Sequence, residues 1–227
     1  MAGTMNEIDS RTSGDRRPGI IICAYDGDDD GWDLVEDLSG EIWSPSGARA
    51  VPIAAADPDE LASTLAARLG SGECRAVLLV GRTQKGAGFR VQMRAENRTL
   101  DYKHRLSSTG PGVARTTAPV ADMVRALTAA GLQADASSDI EEDAGSYLLY
   151  RVLSDLPDGP LTPSIGLLRA PAPANEAAVR KGVKAAASAM ASHLTPLPRT
   201  RAAVDVMVRN VRSVQAELDV PLALECV

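Results

Sequence analysis

Two hydrophobic patterns alternate along the chain. Continuous apolar runs predict strands, because a strand covered on both faces presents apolar side chains in both directions. Stretches in which apolar residues recur every three or four positions predict helices. The predicted strands cover residues 19–24, 48–54, 75–80, 89–93, 132–136 and 164–168. The predicted helices cover residues 32–40, 57–70, 118–131, 144–153, 175–194 and 201–218.

The alternation of strands with helices predicts one three-layer α/β domain, in which helices flank a mostly parallel, twisted sheet. Residues 1–18 are polar and rich in Gly, Ser and Arg, and we expect a disordered lead-in there. The α/β domain then covers residues 19–194. Residues 195–227 are predicted to form a helical extension, which begins with a break at Pro196 and Pro198. The apolar stripe of this extension, Val204, Val208 and Val211, needs a cover, so we expect a homodimer or larger oligomer.

Composition excludes several classes of protein. The chain has 227 residues, of which 44% are hydrophobic and 24% charged, so it can bury a core without disulfides or metals. Its formal net charge of -6 argues against binding to nucleic acid or to an anionic membrane. Three widely spaced cysteines, no apolar run of about 20 residues and no secretory signal indicate a reduced, cytoplasmic setting.

An acidic run is the first candidate for chemistry. Asp26, Asp28, Asp30 and Asp37 occupy positions 1, 3, 5 and 12 of a calcium-loop pattern, with Gly31 at position 6. The preceding segment is strand-like rather than helical, and position 12 is Asp instead of the usual bidentate Glu. The run is therefore either a weak calcium site or a solvated acidic turn, and we expect the acidic turn.

The remaining motifs point to little chemistry. Residues 81–88 are glycine-rich and could bind an anion through backbone N–H groups, but they lack both phosphate-loop and dinucleotide-loop spacing, so we expect no cofactor. A thiol nucleophile needs a neighbouring base, and the chain offers only His104 and His193. A pair between His104 and either Cys23 or Cys74 stays an open alternative to small buried cysteines.

Several motifs stand in a recognisable order. Val77-Leu-Leu-Val-Gly81-Arg82 ends a strand, and Thr109-Gly-Pro111 is followed by a helix that begins at Pro119. Asp143-Ala-Gly145-Ser-Tyr-Leu-Leu149 comes next. Then follows Ile165-Gly-Leu-Leu-Arg169-Ala-Pro171, and Trp32-Asp-Leu-Val precedes them all. In this order they resemble the pyroglutamyl peptidase I family of cysteine peptidases, over about residues 19–194.

The resemblance implies a fold and a site, but the catalytic residues do not carry over. The position of the family's nucleophilic Cys falls on Leu149, that of its general-base His on Arg169, and that of its acid on Phe89. None of the three side chains can perform the matching role, since arginine stays protonated at neutral pH. The apolar pocket loop of the family aligns with Tyr25 and the acidic run.

We therefore expect a non-catalytic homologue that binds a small ligand or a protein partner. The expected pocket residues are Tyr25, Asp26, Arg82 and Arg169. Two alternatives stay open: a working peptidase or amidase with displaced catalytic residues, and a calcium-responsive binding module.

Overall fold

Six strands form the central sheet of the computed structural model, which describes residues 17–25, 43–53, 56–156, 159 and 162–194. The strands are β1 (Gly19–Ala24), β2 (Arg49–Ile53), β3 (Cys74–Thr83), β4 (Phe89–Gln92), β7 (Ala134–Ser137) and β8 (Ser164–Pro171). Their order across the sheet is β2-β1-β3-β8-β4-β7. All neighbouring pairs are parallel except β4 and β8, which are antiparallel. This is the mostly parallel α/β sheet that the sequence predicts.

Four helices cover the two faces of the sheet. They are α1 (Pro58–Gly70), α2 (Val120–Ala129), α3 (Ala144–Ser154) and α4 (Glu176–Ala191). Helices α2 and α4 pack on one face through Met123, Leu127 and Val183. Helices α1 and α3 pack on the other face through residues such as Leu61 and Leu148. The three layers confirm the predicted fold class.

Side-chain caps fix where three of the helices begin. Asp57 accepts hydrogen bonds from the backbone N–H groups of Asp59 and Glu60, as the Asp-Pro pair predicts for α1. Asp143 caps α3 by accepting from the N–H of Ser146, and Asn175 caps α4 by accepting from the N–H of Ala178. Helix α2 begins after Pro119 without a side-chain cap.

Residues 94–112 are polar and belong to none of the predicted helices or strands, yet they contain regular structure. Its first residues form β5 (Arg94–Glu96), which pairs antiparallel with β6 (Val113–Arg115) in a separate two-stranded sheet. Asn97, 2% exposed, closes the loop between them, since its side chain bonds to the backbone of Ser107 at 2.7 and 2.8 Å. A polar sequence without clear periodicity did not reveal these short strands.

The chain divides into two units, residues 1–195 and residues 196–227. All the described residues belong to the first unit. The predicted helices at residues 32–40 and 201–218 lie outside the described residues. Within the described part, no helix is both long and apolar enough to cross a membrane.

Candidate functional site

A buried arginine defines the candidate site. Arg169 lies near the carboxyl end of β8, a strand whose eight residues are all buried, and its side chain is 1% exposed. Its neighbours Leu168 and Ala170 point toward α2 and α4, so strand alternation directs Arg169 toward α3 on the opposite face. A charge in such a place needs a partner and hydrogen bonds, because desolvation is costly.

Asp143, the cap of α3, supplies the opposite charge. Its two carboxylate oxygens accept from the two terminal nitrogens of Arg169, with Nη1–Oδ2 at 2.5 Å and Nη2–Oδ1 at 2.8 Å. This is the bidentate geometry in which a guanidinium binds a carboxylate most strongly. One carboxylate thus ties the start of α3 to the end of β8.

Three further side chains complete the surroundings of Arg169. Its Nε donates to Oε1 of Gln92 at 2.9 Å, Nη1 donates to the Tyr25 hydroxyl at 2.8 Å, and Nη2 donates to Oγ of Ser146 at 3.1 Å. A guanidinium has five N–H donors, and these three bonds with the two to Asp143 use all five. The five residues form what we call the arginine network: Tyr25, Gln92, Asp143, Ser146 and Arg169.

Tyr25 fits into the network because two glycines make room for it. A Cβ atom at Gly81, on β3, would lie 2.1 Å from the ring carbon Cζ of Tyr25, and one at Gly145, on α3, would lie 2.2 Å from it. The ring is therefore held between strand and helix at positions where no larger residue fits. Its hydroxyl also donates to Oδ2 of Asp143 at 3.4 Å.

A second arginine lies directly across from the first. Arg90 on β4 pairs in register with Arg169 on β8, and like charges placed opposite each other repel. Glu141 offsets this repulsion, because its Oε1 is 3.6 Å from Nε of Arg169 and 3.9 Å from Nη1 of Arg90. Oε1 of Glu141 also accepts from the Thr83 hydroxyl at 2.7 Å.

The electrostatics keep Arg169 charged. Burial acts to lower the pKa of Arg169, but the hydrogen bond to Asp143 and the field of Tyr25, Asp143 and Glu141 outweigh it, so the pKa is raised. Arg169 therefore has no basic form at physiological pH and cannot accept a proton.

Tyr102 reaches the same region from the loop between β5 and β6. Its hydroxyl donates to the carbonyl of Glu141 at 2.9 Å, and burial is the main cause of its raised pKa. Its φ of 57° is unusual for a bulky residue, and such strain persists only where the surroundings enforce it. The loop is thus pinned beside the arginine network.

The three positions where the resemblance places a catalytic triad are divided between the two faces of the sheet. Leu149, 0% exposed, belongs to the core under α3, one helical turn beyond Ser146. Phe89 packs on the other face of the sheet, against Gly182 of α4. The β4 side chain that contacts Arg169 is Gln92, three residues further along the strand.

The structure places the expected pocket residues in different surroundings. Tyr25 and Arg169 are brought into contact, but both are buried, at 7% and 1% exposure. Arg82 turns to the loop after β8, where its Nη1 donates to the carbonyls of Ala172 and Ala174. Asp26 and the rest of the calcium-loop residues, Asp28, Asp30 and Asp37, lie outside the described residues.

The described cysteines and histidines form no nucleophile–base pair. Burial raises the pKa of the Cys23 thiol to about 12, and burial is also the main cause of the raised pKa of Cys74. His104 is exposed, and His193 contacts Asp122, with Nε2 and Oδ2 2.6 Å apart. Among the described residues, no group of three or more His, Cys, Asp or Glu side chains is placed to hold a metal ion.

Sequence reasoning missed four members of this region: Gln92, Glu141, Asp143 and Ser146. Asp143 was visible as the residue before the Ala-Gly of a predicted helix, which is the usual place of a cap. Gln92 and Ser146 carry no such signal, because a polar residue in a buried stretch does not reveal its partner.

The fold matches those of solved pyroglutamyl peptidases. Pyroglutamyl peptidase I from Bacillus amyloliquefaciens superposes with a TM-score of 0.67 and 16% identity, covering 78% of this chain and 96% of that one. The pyrrolidone carboxyl peptidases of Thermococcus litoralis and Thermus thermophilus give TM-scores of 0.62 and 0.58, at 14% and 19% identity. They cover 81% and 78% of this chain and the whole of those chains. At this level of identity the likeness establishes the fold alone.

The end of the chain is similar to a different group of proteins. Residues 183–227 match the family model of the RiPP precursor modification enzyme MbnB/TglH/ChrH. A UPF0276 protein of Streptomyces avermitilis is 55% identical over 49 residues, which are 21% of this chain and 10% of that protein. The chain thus spans about a tenth of the length of this curated relative.

Proposed function

We propose that this protein is a non-hydrolytic relative of the pyroglutamyl peptidases, which uses their fold to bind a peptide or a protein partner. The observation that carries the proposal is the closed arginine network. All five donors of Arg169 are bound to the protein's own side chains. A guanidinium in that state has no donor left for a substrate.

The chemistry of peptide hydrolysis supports this reading. A cysteine peptidase needs a thiolate, a base within hydrogen-bond reach of it and a group that orients the base. The positions suggested by the resemblance hold a buried leucine, a permanently charged arginine and a phenylalanine on the far face of the sheet. Loss of all three roles is a stronger argument than loss of one.

The similarity of residues 183–227 to RiPP precursor modification enzymes suggests the setting. Those enzymes act on ribosomally made peptides, as their name states. We propose that the present protein works alongside peptide modification as a binding component, and that its C-terminal segment contributes to the assembly.

Hydrolysis by a displaced thiol is the second candidate, and one observation favours it. Cys74 lines a cavity of about 270 Å³ together with Leu69, Val152 and Leu156. Against it stands the raised pKa of Cys74, since a reactive cysteine needs a lowered one. Neither His104 nor His193 is hydrogen-bonded to this thiol.

The deciding experiment measures release of a chromophore from a pyroglutamyl amide by the pure full-length chain. The enzyme from Bacillus amyloliquefaciens is the positive control. We expect no release above the rate in buffer. Two results together would instead establish hydrolysis by a displaced thiol. Turnover would be abolished by Cys23→Ser or Cys74→Ser, and it would be unchanged in the control Cys226→Ser.

A graft provides a second test of the same proposal. The variant Leu149→Cys, Arg169→His restores the family's nucleophile and base by residue type. We expect it to stay inactive, because the family's acid position is Phe89, on the other face of the sheet, and the change breaks the bonds that hold the start of α3 to β8. Activity in this variant would show that the site is still built for catalysis.

A further inference from the structure

A basic surface lies on the small sheet formed by β5 and β6. Residues 94–115, which we call the basic lobe, hold five of the chain's 24 Lys and Arg residues but only two of its 30 Asp and Glu residues. The five are Arg94, Arg98, Lys103, Arg105 and Arg115, and each is exposed. The lobe is therefore positive in a chain whose net charge is -6.

The strand register places two of these charges on one face. Ala95 and Ala114 face each other and pack toward the core beneath α3. Strand alternation then sends the neighbouring pair, Arg94 opposite Arg115, to the solvent face. Val113, opposite Glu96, lies on the same solvent face.

This arrangement does not help folding. Like charges directly opposite on adjacent strands are destabilising. Arg94 donates from Nε to the carbonyl of Ser138 at 2.8 Å, while the side chain of Arg115 makes no hydrogen bond or ion pair with any described residue. An exposed pair that destabilises the fold suggests that the two arginines serve binding to another molecule.

The lobe also carries exposed apolar side chains. Leu100 is 45% exposed and Val113 is 43% exposed, and among the described residues these are the large hydrophobic side chains that reach solvent to this extent. Apolar contacts set among positive charges fit a partner segment that alternates apolar and acidic residues.

The loop that carries part of the charge is held in one conformation. Asn97 anchors it from within through Ser107 and Gly110, and Arg105 donates from Nη2 to the carbonyl of Gly110 at 3.0 Å. Tyr102 pins its tip to the carbonyl of Glu141. A surface organised in advance binds with a smaller entropic cost.

We propose that the basic lobe is the docking surface for an acidic peptide segment of a partner protein. This deepens the proposed binding role and rests on it. A nucleic acid fits less well, because single-strand recognition relies on exposed aromatic side chains for stacking, and the lobe has no Phe or Trp, while its one Tyr, Tyr102, is half-buried with its hydroxyl bonded.

The test measures binding of the full-length chain to a fluorescent peptide of alternating Asp, Glu and Leu residues with a blocked N-terminus. The control peptide carries Asn and Gln in place of Asp and Glu. We expect binding of the acidic peptide alone, and affinity that falls steeply between low and physiological salt. We expect Arg94→Ser, Arg115→Ser to weaken it at least tenfold, and Arg125→Ser, an exposed arginine on α2, to leave it unchanged.

Four results would overturn the proposal: no binding at low salt, equal binding of the control peptide, unchanged affinity in the double variant, or tighter binding of an oligonucleotide through the same arginines. A fifth concerns the chain's own acidic run. If the peptide binds only after Asp28→Asn, Asp29→Asn, Asp30→Asn, the lobe does not serve a partner protein.

The melting temperature of the double variant shows whether weaker peptide binding comes from loss of the binding surface or from loss of the fold. Because the Arg94–Arg115 pair is repulsive, we expect the double variant to melt at the same temperature as the wild type or higher. The probe contains no pyroglutamyl group, so hydrolysis in the chromophore assay would contradict the proposed function without affecting this result. If the acidic peptide does not bind and the chromophore assay shows no hydrolysis, only the proposed docking role of the basic lobe is contradicted.

Discussion

At the scale of single residues, the position that the resemblance assigns to a catalytic base holds an arginine whose donors are all bonded within the protein. Arg169 binds Asp143 through two parallel hydrogen bonds and reaches three neutral side chains with its remaining donors. Glu141 lies between Arg169 and Arg90 and reduces their mutual repulsion. A histidine could not make this set of contacts, since a protonated imidazole has only two N–H donors.

Cys23 gives a pH prediction at the same scale. Its pKa is raised from the ordinary 9.0 to about 12 by burial, so the native state keeps the thiol protonated where the unfolded chain ionises it. The stabilisation from the neutral thiol is complete below pH 9 and is lost as the pH rises toward 12. Urea unfolding at pH 8 to 11 should therefore show the advantage of wild type over Cys23→Ala shrinking with pH.

A constant difference between the two proteins across that range would contradict a buried neutral thiol. Thiol labelling at pH 8 provides a second readout. Cys23 should react only after the protein is unfolded, because its sulfur is 0% exposed. Rapid labelling of native Cys23 would reopen the displaced-thiol candidate.

At the scale of secondary-structure elements, Tyr25 couples β3 to α3 through two glycines. We predict that Gly145→Ala destabilises the protein by about 1–3 kcal/mol, the usual cost of overpacking, although alanine favours helix by about 1 kcal/mol. The reason is the 2.2 Å approach of the new Cβ to the Tyr25 ring. Gly70→Ala, at the end of α1 with open space around it, is the matched control and should be neutral.

A second substitution at Tyr25 shows whether its ring causes the loss of stability in Gly145→Ala. If the ring of Tyr25 is the obstacle, the pair Tyr25→Leu, Gly145→Ala should lose less stability than the sum of the two single changes. Strictly additive losses in chemical denaturation would show that Gly145 matters for another reason.

The elements also show how far sequence reasoning reaches. Continuous apolar runs located β1, β3 and β8, and the Asp-Pro pair located the start of α1, because these signals are local. The short strands β5 and β6 were missed, since strands of three residues are too short to show a pattern, and they acquire strand geometry only from a partner nearly twenty positions away. Helix α2 was found as well, and its buried side chains are Met123 and Leu127.

The site was harder to foresee than the fold. The resemblance located Arg169 and Tyr25, and the structure brings these two into contact. It placed the family's acid on Phe89, whose side chain lies across the sheet from Arg169. Strand alternation decides which face a residue occupies, and a shift of one residue reverses it, so an alignment through a glycine-rich loop cannot fix the facing side chain.

At the scale of the whole molecule, the α/β domain should fold without the C-terminal segment. The likeness to the Bacillus amyloliquefaciens enzyme covers 78% of this chain and 96% of that protein, which is itself a folded molecule. We predict that a chain ending at residue 195 unfolds cooperatively, with helical content retained in circular dichroism. Loss of cooperative unfolding would show that residues 196–227 are part of the same core.

Assembly is a separate prediction for the same segment. The stripe Val204, Val208 and Val211 predicts a homodimer or larger oligomer, and light scattering of the full chain measures the mass directly. The chain ending at residue 195 should then form an oligomer of fewer subunits than the full chain, or a monomer. A full-length monomer at high concentration would contradict the predicted oligomer.

The unfolding free energy of Arg169→Met tests the central claim most directly, because the claim is that this position holds the fold together instead of serving a substrate. Methionine keeps much of the volume but leaves Asp143 without its partner and Gln92 and Tyr25 without their donor. Urea denaturation at neutral pH should show a loss of about 3 kcal/mol or more, as expected when one partner of a buried ion pair is removed. A loss well under about 1 kcal/mol would mean that the arginine network is not structural, and would contradict the account.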